Sequence, residues 1–164
     1  MLKSELKNHF GFTLIELLVV IAIMGLLLTA AITAMDSARQ RARDTKRKAD
    51  LKQIYTALNL YLNESVSGGK YPNTNGSFYC FHDSSSGLTE ALVNNTSLLT
   101  AVPQDTLTSQ RTNVSSGCYA YRSDGLDLKL MVLLENDDSI MQNDGGATDL
   151  RFELFTSVAQ SWMP

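Results

Sequence analysis

Proline, cysteine and histidine are scarce in this 164-residue sequence, and positive charge is in slight deficit. There are three prolines, the first at Pro72, so nothing before it imposes a helix break. Two cysteines, Cys80 and Cys118, exclude a disulfide-dense miniprotein or a Cys-rich zinc module. Charged residues make up 19%, too few for a solvated disordered chain, and ten glycines exclude a collagen-like repeat. Fourteen Lys+Arg against seventeen Asp+Glu give a net charge of −3, which argues against a general nucleic-acid binder. Only His9 and His82 are available for imidazole chemistry, and no P-loop, G-x-S-x-G or H-E-x-x-H signature is present. No catalytic residue stands out. The length allows one domain, or a small domain with an appendage.

What the sequence does have is a long uncharged stretch, the 19 residues from Leu17 to Met35. As a helix it reaches about 28 Å, close to the ~30 Å hydrocarbon core of a bilayer. A rod that is apolar on every side is too much for the remaining chain to wrap as a core helix. Lys3 and Lys7 ahead of it, and Thr29-Ala30-Ala31 within it, also suit a secretory signal peptide, but the run exceeds the roughly 7–15 residues of a usual signal h-region. A retained transmembrane anchor fits the length better. Gly25 and the small residues Ala22, Thr29, Ala30, Ala31, Thr33 and Ala34 permit close approach of neighbouring helices.

Immediately before this run stands Gly11-Phe12-Thr13-Leu14-Ile15-Glu16, after a short leader carrying Lys3 and Lys7. The combination resembles the class III signal of type IV pilins and of the pseudopilins of type II secretion. The resemblance implies cleavage between Gly11 and Phe12 by a prepilin peptidase, N-methylation of Phe12, and a role for Glu16 in assembly. It implies further partners: copies of the chain and other pilins, an assembly platform with its ATPase, and the inner membrane from which an extracellular or periplasmic filament is drawn. Charge supplies a physical reason for the glutamate. A free amine at Phe12 and the Glu16 carboxylate are each unfavourable at the lipid boundary, and each relieves the other, within one helix or between neighbours. Many filament-forming pilins carry a proline in this helix, and this sequence has none there.

Residues 36–52 hold seven basic side chains (Arg39, Arg41, Arg43, Lys46, Arg47, Lys48 and Lys52) against Asp36, Asp44 and Asp50. Residues 53–164 hold five basic and twelve acidic ones. The sequence therefore reads as a positive collar followed by a negative body. Three external partners suit the collar: anionic lipid, neighbouring subunits and DNA. The plainer alternative is a solvated helix face with i,i+4 pairs such as Asp44–Lys48. By charge counting alone, basic residues after the span would keep the C-terminal part in the cytoplasm. The cleavage motif and the distal cysteines point the other way.

Leu51, Ile54, Tyr55, Leu58, Tyr61 and Leu62 continue a helical i, i+3, i+4, i+7 stripe, and Gly68-Gly69 ends it. The spacing predicts one helix over 12–64, some 80 Å long at ~1.5 Å per residue. Beyond it, Lys70-Tyr71-Pro72-Asn73 resembles the turn that follows this helix in many pilins and pseudopilins. Strands are expected at Gly117–Tyr121, Leu126–Glu135 and Leu150–Phe155, with Asp124-Gly125 as a hairpin turn and a short helix within Leu88–Leu99. The predicted fold is α+β: a leader over 1–11, a transmembrane or filament-core helix over 12–35, an amphipathic continuation over 36–64, and a head over 65–164 with a small antiparallel sheet.

Cys80 and Cys118 are expected to form a disulfide, with two free thiols or a metal site shared with His82 as the alternatives. The segment from Glu135 to Asp149 is rich in oxygen ligands, so Asp137, Asp138, Asp144 and Asp149 form a candidate calcium loop, set against an ordinary acidic solvent loop. Taken together, the sequence predicts a pilin-like subunit that polymerises through its N-terminal helix for adhesion, motility or DNA uptake. The alternatives are a pseudopilin of a type II secretion system and a membrane-anchored binding module that never polymerises.

Overall fold

The structure is a computed structural model that describes residues 12–107, 109–136 and 138–164, apart from the side chains of Ala30, Ala31, Thr33, Ala34 and Asp138. Gly11 and Asp137 lie outside the described residues. The chain divides into two compact units that meet between Arg39 and Gln40.

The first unit carries the opening of helix α1, Leu14–Tyr61. Its large apolar side chains are uncovered, from Phe12 (75% exposed) and Leu14 (83% exposed) through Leu28. Among the described residues, no helix is long and apolar enough to cross a membrane. Four side chains inside the uncharged Leu17–Met35 run fall outside that description, and the run itself stands in the sequence.

The second unit packs the later turns of α1 against a four-stranded antiparallel sheet. Its strands are β1 (Tyr79–Cys80), β2 (Ala120–Ser123), β3 (Leu128–Val132) and β4 (Phe152–Phe155), ordered β1-β2-β3-β4. A five-residue helix, α2 (Asp138–Gln142), lies between β3 and β4. The predicted stripe on α1 is the core face: Leu51, Ile54 and Leu58 are fully buried and Tyr61 nearly so, packing with Leu128, Leu130 and Val132 of β3. These β3 residues alternate along the strand, as period-two geometry requires. Lys129 and Met131 between them are buried on the opposite side, so β3 is covered on both faces. That accounts for a sequence that begins in alternation and becomes continuously apolar.

Asp124-Gly125 makes the expected turn. Ser123 pairs with Leu128, Gly125 adopts φ +99°, and the Asp124 carboxylate accepts the Leu126 and Asp127 N–H groups. The Tyr71-Pro72 turn is stitched to this hairpin. The Tyr71 N–H donates to Gly125 O, the Tyr121 hydroxyl to Pro72 O at 2.7 Å, and the Tyr71 hydroxyl to Asn59 on α1.

One helix boundary needs correction. Helix α1 ends at Tyr61 rather than Glu64. Asn63 and Glu64 tighten into i→i−3 bonds, and the Ser67 hydroxyl takes up the Leu62 and Glu64 carbonyls before Gly68 and Gly69 turn left-handed. The short helix expected within Leu88–Leu99 is present: Leu88 and Thr89 are α-helical and lead into a wide π turn, Glu90–Asn94. The Thr96 hydroxyl captures the Ala91 carbonyl, and Ser97 sits at φ +54°, where a helix cannot continue.

Cys80 and Cys118 are bonded, with their Cα atoms 5.8 Å apart. The bridge packs with Ala120 and Met131 on the sheet face away from α1. Closing 38 residues of chain contributes about 3–4 kcal/mol in the loop-entropy account. Cys80→Ala/Cys118→Ala is therefore expected to lower unfolding free energy by about that amount, measured by denaturant titration without reductant. A change below about 1 kcal/mol would show that the bridge adds little here.

Candidate assembly site

Helix α1 opens with a reciprocal cap. Thr13 is the last non-helical residue, and its hydroxyl oxygen accepts the Glu16 N–H at 3.3 Å. In return, Oε2 of Glu16 accepts the Thr13 N–H at 3.3 Å and the Thr13 hydroxyl at 3.1 Å. Thr13-Leu14-Ile15-Glu16 thus has the spacing and the bonds of a capping box, which satisfies helix donors that have no partner within the helix. Two consequences follow. The carboxylate is drawn back toward Phe12 instead of trailing along the helix. Only one of its oxygens is used, so among the described residues Oε1 has no donor, and the residue is exposed.

Phe12 and Glu16, two of the three residues singled out for processing and assembly, therefore lie together at the exposed helix start, while Gly11 lies outside the described residues. Below them the apolar surface continues without cover. An added Cβ on Gly25 would meet nothing within 4 Å, and the Thr29 hydroxyl turns inward to the Leu26 carbonyl at 2.7 Å. Both features leave a smooth surface for a neighbouring helix. The side chain of Thr33 lies outside the description.

The basic collar differs from its sequence reading. Arg47 is 1% exposed, and its guanidinium is shared among three carboxylates. It donates from Nε and Nη2 to Asp105 at 3.0 and 3.1 Å, from Nη1 to Asp44 at 2.7 Å, and meets Glu135 at 2.6 Å. Arg43 clamps Glu135 with a two-pronged fork at 2.9 and 2.5 Å, and Arg111 adds a contact to Asp105 at 3.2 Å. Asp44 accepts the backbone N–H groups of Glu135 and Asn136, tying the segment after β3 to α1. The expected Asp44–Lys48 spacing gives way to Asp44–Arg47. Two of the seven collar cations are committed inside the second unit and are lost to lipid, DNA or a neighbour. Arg39, Arg41, Lys46 and Lys52 stay exposed.

Charge sharing sets the titration of this cluster. The Arg43 fork, despite a burial cost acting the other way, holds the Glu135 carboxyl down from 4.5 to about 2, with Arg47 adding to the effect. A carboxyl lowered by folding stabilises fully above its unfolded value and loses that contribution as pH falls toward the folded one. The thermal midpoint is therefore expected to be level above pH about 5 and to fall between about 4.5 and 2, with Glu135→Gln flattening part of that decline. An unchanged pH profile in the Gln variant would show that the fork does not matter.

A second buried pair lies under the acidic loop. Lys129 and Glu153, both fully buried, meet at 2.8 Å, and the ammonium also donates to the Gln160 and Trp162 carbonyls. The Glu153 carboxylate accepts the Ala147 N–H and the Thr148 hydroxyl. Of the proposed calcium ligands, Asp144 receives the Gly146 and Glu153 N–H groups at 2.8 and 2.6 Å, and Asp149 is exposed. Asp137, and the side chain of Asp138, lie outside the description. Among the described residues, no three acidic, histidine or cysteine groups stand close enough to share a metal ion.

Comparison with known proteins gives one family motif, in the first unit, and two similar proteins. The prokaryotic N-terminal methylation motif matches residues 6–32. The type II secretion system core protein G of Pseudomonas aeruginosa (strain PAO1) is 38% identical over 68 residues, covering 42% of this chain and 46% of that protein. The type IV major pilin protein PilA of Myxococcus xanthus (strain DK1622) is 36% identical over 66 residues, covering 40% of this chain and 30% of that one. The chain thus spans less than half the length of either relative. No solved structure matches it. At its methylation motif and over some 66–68 residues, the chain is similar to a type IV major pilin and to a type II secretion core protein.

Proposed function

We propose that the chain is a pilin-like structural subunit that polymerises through its N-terminal helix and performs no chemistry of its own. The observation that carries this reading is the uncovered apolar surface of α1, which begins directly at the methylation motif. Such a surface needs lipid before assembly and neighbouring helices after it. In this account a prepilin peptidase cuts after Gly11, Phe12 is methylated, and the new amine sits beside the unused Oε1 of Glu16. The inner membrane holds the subunit until an assembly platform and its ATPase draw it into a filament of its own copies and related pilins. The head, held to α1 by the Arg47 cluster and closed by its disulfide, then forms the outer surface.

A second reading, a type II secretion pseudopilin, has a specific observation in its favour: α1 contains no proline, and the secretion protein is 38% identical over 68 residues. Deleting the coding sequence separates the two. Loss of surface filaments under the electron microscope with secretion intact supports the pilus, and loss of enzyme secretion with filaments intact supports the pseudopilus. Absence of any crosslink between copies in cells would overturn both and leave a non-polymerising anchored module.

A further inference from the structure

Arg122 and Arg151 line one open cleft of about 390 Å³ in the second unit, together with Ser77, Phe78, Ser115 and Met163. Each has a buried nitrogen without a hydrogen-bond partner, Nε of Arg122 and Nη1 of Arg151. Leaving a buried charged donor unmatched is costly. The cations of this unit that are buried as whole residues behave differently. Arg47, Arg111 and Lys129 all have carboxylate partners. The mismatch also arises in the acidic part of the chain, where carboxylates outnumber cations.

Both guanidinium groups are held in place. Arg122 is stacked between rings, its Cζ 5.4 Å from the centre of Phe78 and 4.5 Å from that of Trp162. The rings fix its plane and offer no acceptor to its edge. Arg151 gives Nη2 to the Val114 carbonyl at 2.6 Å, which fixes its fork. Two anchored forks, two hydroxyls and an apolar flank make a receptor for a group with at least two negatively charged oxygens.

We infer that this cleft is a binding subsite for an oxyanion, a carboxylate or phosphate, free or borne on a small organic stem. It lies outside the N-terminal helix and is independent of filament assembly. The test is calorimetric titration of the full chain in non-ionic detergent with inorganic phosphate, glucuronate and, as the neutral control, glucose. Saturable binding of phosphate alone identifies a free-ion site, and binding of glucuronate identifies a carboxylate on a stem. Either is the expected result, with Arg122→Gln and Arg151→Gln each weakening it at least about tenfold. Ser115 is exposed, so Ser115→Asp leaves packing intact and supplies an internal carboxylate. That variant is expected to abolish binding and raise the thermal midpoint. No saturable binding of either anion up to about 20 mM, equal binding of glucose, or undiminished binding by Ser115→Asp would overturn the inference.

Discussion

Replacing Arg47 with Met is expected to destabilise the second unit by about 3–5 kcal/mol, a large share of the stability of a domain this size. Methionine fills much of the same space, so the loss is chiefly electrostatic. Arg47 is the counterion of three buried or half-buried carboxylates, Asp44, Asp105 and Glu135. Removing it leaves them facing each other in a region that water hardly reaches. Arg43 and Arg111 relieve Glu135 and Asp105 in part, and Asp44 keeps its backbone donors. Arg47→Lys is expected to recover little, because a compact ammonium cannot reach two sides of Asp105 and Asp44 at once. Denaturant titration followed by tyrosine fluorescence would measure both variants. A loss below about 1 kcal/mol for Arg47→Met would mean that the cluster supplies specificity without stability.

Glu16→Ala is expected to cut filament incorporation by about a hundredfold while the precursor still accumulates in the membrane. The magnitude follows from the ~2.5–3.5 kcal/mol cost of an unpaired charge in the hydrocarbon region. The capping box gives a sharper test, because alanine removes two roles at once. Glutamine keeps the side-chain oxygen that receives the Thr13 donors, so Glu16→Gln preserves the cap and deletes only the charge. If the carboxylate serves as partner to the Phe12 amine, Gln fails nearly as badly as Ala. If Gln restores incorporation, the residue acts through the cap alone and the charge-pairing role is wrong. Thr13→Val is the complementary case: it removes the hydroxyl, leaves the charge, and is expected to cost the cap only about 1 kcal/mol.

Much of the fold was readable because it rests on local periodicity. The Leu51-Ile54-Leu58-Tyr61 stripe gave the buried face of α1, and Asp124-Gly125 between two apolar runs gave the β2–β3 hairpin. Features that depend on contacts distant in sequence were not readable. Nothing near Arg47 in the chain announces that Asp105 and Glu135 will enclose it, so a run of basic residues reads as a solvated collar. Strand β1 is two residues long and takes its conformation from pairing with Tyr121 and Ala120. Arg122 and Arg151 are unremarkable in sequence, and only the fold brings them to one cleft. The Thr13–Glu16 cap is the opposite case. Its spacing is a recognised helix-start signal, but the glutamate's charge drew the interpretation toward pairing alone.

The account stands on a new chain end formed beside Glu16. The most direct test is intact-mass and N-terminal peptide mass spectrometry of the protein from sheared filaments or membranes. The account predicts a mature chain that lacks residues 1–11 and begins at Phe12, with one methyl group on its amine and the Cys80–Cys118 bridge intact. A mature chain beginning at Met1, or at any residue other than Phe12, would contradict it.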